Sequence, residues 1–157
     1  MSPFRSDPSN LYDQDYYAWV QEQVRVLRER RTEEVDWENV AEELDDLGKS
    51  EKWSIESHLE TLIEHLLKLG YTRSITRERN SRLWQGTVKL ARSKIRRRLA
   101  QSPSLRGKIP ELFASAYEDG RTKMLARTKL PDNAIPASCP WTLDQVLDDG
   151  FVPRAAD

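Results

Sequence analysis

The sequence is short of the residues from which most recognisable active sites are built. Cys139 is the only cysteine among 157 residues, so no intrachain disulfide forms and a reducing compartment is permitted. Cys139 lies between Ser138 and Pro140 with no histidine near it in sequence, which gives it no base for nucleophilic work. Only six glycines are present, and none forms a phosphate-cradling loop. Ser102-Pro103-Ser104 lacks the glycines of a nucleophile elbow. The two histidines, His58 and His65, fit neither His-Glu-x-x-His nor the paired Glu-x-x-His of di-iron bundles. No apolar run approaches the ~20 residues of a membrane span, and Met1 to Pro8 has no apolar h-region. A net charge of −1 gives no global pull toward nucleic acid or membrane. We therefore expect a cytoplasmic protein without a cofactor. A chain of this length buries about two-thirds of its unfolded surface, so it needs no metal or disulfide to fold.

What is present is helical periodicity and an inversion of charge. Residues 33–64 hold twelve Asp or Glu against two Lys, and residues 73–98 hold ten Arg or Lys against Glu78. Formal charges of −10 and +9 predict two amphipathic helices whose polar edges pair in cis. Five main helices are expected. Asp13 is the predicted N-cap of the first, with Tyr16, Val20, Val24 and Leu27 as its stripe and the cluster Arg28 to Arg31 at its end. Asp36 caps the second, a short helix with Trp37, Val40, Ala41, Leu44 and Leu47 in its stripe, stopped by Gly48. Ser50 opens the third and most apolar helix, with Ile55, Leu59, Leu62, Ile63, Leu66 and Leu67 on its face and Gly70 at its close. The basic fourth helix spans about 81–99 with Trp84, Val88, Ala91, Ile95 and Leu99 inward. Trp84 and Trp53, at helical spacing, read as core. After a turn at Pro103 comes a fifth helix with Pro110 near its start and Leu112, Phe113, Ala116, Tyr117, Gly120 and Met124 inward. Residues 130–140 hold three prolines and predict an extended crossover. Thr142 and Gln145 then fit a capping box, with Trp141 and Val146 as a hydrophobic staple, opening a short C-terminal helix. The fold expected is all-α: a single-domain helical bundle over residues 11–153, with a flexible N-terminal tail at 1–10 and a C-terminal tail at 154–157.

Several short motifs carry a resemblance. They are Tyr12 to Trp19, Asp36-Trp37-Glu38-Asn39, Glu42-Glu43-Leu44, Leu47-Gly48 with Ser50-Glu51, and His65-Leu66-Leu67-Lys68. Trp84, Ser102-Pro103-Ser104-Leu105, Tyr117, Cys139-Pro140-Trp141-Thr142 and Phe151-Val152-Pro153 continue the order. In this combination the chain resembles, from about Leu11 to Pro153, the bacterial family called domain of unknown function twenty-nine. The resemblance implies an all-α fold in bacteria and no established activity. Gly120 departs from the alanine expected of the family, and glycine there loosens the fifth helix.

Three functional readings follow from the residues. The first is a non-enzymatic interaction module with a protein partner or a second copy of itself. The second is weak, non-specific nucleic-acid binding through the basic helix 82–98, with Arg92, Arg96, Arg97 and Arg98 releasing counterions from phosphates. The third is a divalent-metal-dependent hydrolase. His58 and His65, seven residues apart, share a helix face but need a third ligand, which Glu43 supplies if the second and third helices form an antiparallel hairpin. Glu42-x-x-Asp45 and Glu43-x-x-Asp46 are half of a magnesium pyrophosphatase pattern, but the second half is missing and Glu60 and Glu64 only partly stand in for it. The plainer reading of His65 is a core-edge histidine bonded to a helix carboxylate.

Overall fold

The computed structural model describes residues 8–156, and no strand occurs among them: the protein is all-α, as its periodicity predicts. The helices are α1 (Pro8–Gln14), α2 (Tyr16–Arg28), α3 (Trp37–Tyr71), α4 (Ser74–Gln101), α5 (Ile109–Arg127) and α6 (Leu143–Leu147). No helix among the described residues is long and apolar enough to cross a membrane. Of the expected N-terminal tail, residues 1–7 lie outside the described residues, as does Asp157. The chain forms two compact units that divide after Ser50.

The principal departure from expectation is α3. The predicted second and third helices are one helix of 35 residues, running through Gly48. No glycine of the described chain has positive φ, so Gly48 does not adopt the left-handed conformation that ends a helix. Lys49 pairs back to Asp45 at 2.7 Å and Asp46 at 3.2 Å, one turn away across the glycine, which ties the helix together at its weakest residue. Asp36 does cap α3, its carboxylate accepting the Asn39 N–H.

In the first unit the cap of α2 is Asp15, which accepts the Ala18 N–H at 2.9 Å, whereas Asp13 lies inside α1. At the far end Arg30 sits at φ 56°, with Arg31 N–H bonded to the Val26 carbonyl and Arg30 N–H to that of Leu27. This is a Schellman turn made without glycine. The face α2 buries is Trp19, Gln23 and Val26. Polar bonds fix it: Trp19 Nε1–H donates to Asp36 at 3.1 Å, and the Gln23 side-chain oxygen accepts the Asp36 N–H at 2.9 Å. The predicted stripe of α2 is therefore turned off the core, leaving Tyr16 and Leu27 exposed.

The second unit has a continuous core. Ile55, Leu59, Leu62, Ile63, Leu66 and Leu67 of α3 are fully buried among Val88, Ala91 and Ile95 of α4 and Leu112, Ala116, Tyr117 and Met124 of α5. Trp84 packs against this core, but Trp53 is 60% exposed and is not the core residue its spacing suggested. α4 begins at Ser74, two turns before the expected start, since no proline or glycine interrupts 74–80. Gly120 does not loosen α5. A Cβ there would stand 3.1 Å from the Glu60 carbonyl oxygen and 3.2 Å from Ile63 Cγ2, so the glycine lets α5 approach the α3 backbone. The proline-bearing crossover is strapped to α5: Tyr117 donates to the Pro136 carbonyl at 2.6 Å and Arg121 to those of Asp132 and Ile135. The capping box of α6 forms as expected, Thr142 and Gln145 bonding each other's backbone N–H. Ala156 N–H donates to the Gly70 carbonyl at 2.8 Å, which anchors the C-terminal residues.

Candidate functional site

The metal constellation read from the sequence is not assembled. Glu43 and His65 lie on one continuous helix about six turns apart, so the hairpin that was to join them does not exist. The Glu43 carboxylate accepts hydrogen bonds from Tyr12 at 2.6 Å and Tyr16 at 2.7 Å. Those bonds lower the Glu43 pKa and push the Tyr12 phenol up to about 12. His65 Nδ1–H donates to the Thr61 carbonyl at 2.8 Å rather than to a carboxylate, since a carbonyl can only accept. Burial pulls the His65 pKa down, with the Thr61 bond opposing. Glu64, 4% exposed, takes Lys68 at 2.8 Å and Arg127 at 2.7 Å. Burial would raise its pKa, but the Lys68 bond and both cations carry it below the usual carboxylate value. Glu60 pairs with Lys123. Among the described residues no group of three or more His, Cys, Asp or Glu is placed to hold a metal ion. Burial also pushes the Cys139 thiol up, away from a nucleophilic thiolate.

The four arginines proposed for nucleic acid have separate fates. Arg92 is buried, and its guanidinium donates to the carbonyls of Val146 at 2.9 Å, Phe151 at 2.9 Å and Asp149 at 3.4 Å. It clamps the C-terminal segment onto α4 and, contrary to the expectation from sequence, cannot reach a phosphate. Arg96 pairs with the Asp149 carboxylate at 2.5 Å. Arg98 pairs with Glu51 at 2.9 Å, and within the second unit this is the one ion pair joining the acidic and basic stretches. The cis pairing inferred from matched charge is thus largely replaced. Glu60 and Glu64 are answered from α5, and Arg96 from the C-terminal segment. Arg97 and Lys94 remain exposed.

Three surface features stand out. In the first unit, the off-core stripe of α2 and the first turns of α3 line an open groove of 440 Å³. Val20, Val24, Leu27, Val40, Leu44 and Leu47 form its apolar walls, and Glu43 and Asp46 bring acid to it. Leu44 is 64% and Leu47 62% exposed. The sequence marked both stripes, but as core. In the second unit, α3 and α4 border a cleft of 380 Å³ lined by His58, Lys94, Arg97, Arg98 and Gln101. Elsewhere on α4, Ile75, Leu83 and Leu90 are all more than half exposed, with Arg79 and Arg82 beside the two leucines.

Residues 11–152 match a family described as "Domain of unknown function DUF29". No curated protein and no solved structure matches the chain significantly.

Proposed function

The chain belongs to the DUF29 family, and from that premise, which carries no activity, we propose that it is a non-enzymatic, cytoplasmic interaction module that docks a basic amphipathic helix in the groove of its first unit. The observation that carries this reading is the pair of apolar stripes left open to water on α2 and α3. Contiguous exposed apolar surface of this kind is characteristic of interaction sites. The acids in and beside the groove, Glu42, Glu43, Asp45 and Asp46, favour a cationic occupant. The outer face of α4 has the matching chemistry, with Ile75, Leu83 and Leu90 spaced for one helix face and Arg79 and Arg82 among them. A second copy of the chain is therefore the occupant proposed. The lone thiol Cys139 is consistent with a reducing compartment.

Sedimentation velocity over a concentration series tests this. The wild-type protein is expected to self-associate, and more weakly as salt is raised. Leu44→Asp with Leu47→Asp should give monomer, as should Leu83→Asp with Leu90→Asp, because each removes one side of the same contact. Wild-type protein that stays monomeric throughout, or variants that associate like wild type, would sink the proposal.

A further inference from the structure

We propose that the cleft between α3 and α4 binds a small phosphate-bearing anion, with Arg97 and Lys94 as its main charge partners and His58 and Gln101 as flanking donors. Five side chains from two helices converge there, and none is a carboxylate. Arg98 is shared with Glu51, but neither Lys94 nor Arg97 has an ion-pair partner among the described residues. Lys94 and Arg97, like charges held together in a concave site without a counter-charge of their own, repel one another. An anion relieves that repulsion and gains charge-assisted hydrogen bonds. The guanidinium fork of Arg97 suits two oxygens of a phosphate, and the Lys94 ammonium acts as a point charge. The 380 Å³ volume lies at the low end of the ~300–1,000 Å³ typical of small-molecule sites. A continuous nucleic-acid track is disfavoured, because Arg92 and Arg96 on the same helix are committed to the C-terminal segment. Burial, then Lys94 and Arg98, lower the His58 pKa, as a positive cleft should.

The chain has two histidines, so proton NMR of the imidazole C–H signals reads the cleft with its own control. His65 takes no part in the cleft and is held by the Thr61 carbonyl. The titration is run in pyrophosphate and again in sodium chloride of equal ionic strength. Pyrophosphate should raise the His58 midpoint by about one pH unit and leave His65 in place. Lys94→Gln with Arg97→Gln, both at exposed positions, should abolish that rise without moving His65 or the melting temperature. An unmoved His58, or an equal shift at both histidines, would overturn the proposal. So would a response to a single-stranded oligonucleotide with none to pyrophosphate, which would make the surface a nucleic-acid face.

Discussion

The two halves of α3 carry the same kind of apolar stripe and meet opposite fates. From Ile55 to Leu67 the stripe is fully buried, enclosed by α4 and α5. From Trp37 to Leu47 it is open, with Trp37 at 58% and Leu44 at 64% exposure. Periodicity reports that a helix has an apolar face, and says nothing of what covers it. In the first unit the core position on α2 is taken by Trp19 and Gln23, whose side chains bond Asp36 at the α3 cap. Satisfying those buried polar groups fixes the rotation of α2, and its aliphatic stripe is left to line a groove.

The contrast is broken most directly by matched truncations. Leu62→Ala should cost about 2–5 kcal/mol, from lost burial and the cavity left behind, whereas Leu44→Ala should stay within about 0.5 kcal/mol. Urea unfolding of the two variants at concentrations where the protein is monomeric checks this, and equal losses would mean that the first half is covered within the monomer itself. Next in size is Gly120→Leu, which forces a side chain against the α3 backbone beside Glu60 and should cost about 1–3 kcal/mol or more. A melting temperature equal to wild type would show that the helices have room to part.

Acid separates the halves by a different route. The first unit holds no histidine, while His58 and His65 both lie in the second. Burial holds the folded pKa of each below its ordinary value, with Lys94 and Arg98 facing His58, and Lys68, Arg127 and the opposing Glu64 facing His65. A depressed histidine binds more protons when unfolded, so stability should fall as pH drops below the ordinary histidine value of 6.5. His58→Gln with His65→Gln should flatten that limb of the curve. Glu64 and Glu43, both depressed, act lower: their contribution is full above the ordinary value of 4.5 and is lost as pH falls through the folded one. The smallest effect is at the junction. Gly48→Ala meets nothing within 4 Å and should stabilise α3 by up to ~1 kcal/mol. A loss of stability there would mean that the helix needs to bend at that residue.

The element types and most of the second core were legible in the sequence because period, caps and turn residues are local signals. The Thr142–Gln145 box, the Asp36 cap, the strap after Leu130 and the inward face of α5 all formed as expected. Gly48 misled because a glycine ends a helix only when its backbone turns left-handed, and here ion pairs across it favour continuation. Matched charge misled because net charge has no address. Glu60 and Glu64 found Lys123 and Arg127 of α5, and Arg92 found three carbonyls far along the chain. Local sequence thus determined that this protein is helical and which residues are apolar. Tertiary structure alone decided which stripe became core, which became groove, and which cations were left in a cleft, since burial and pairing depend on the side chains that distant segments bring near.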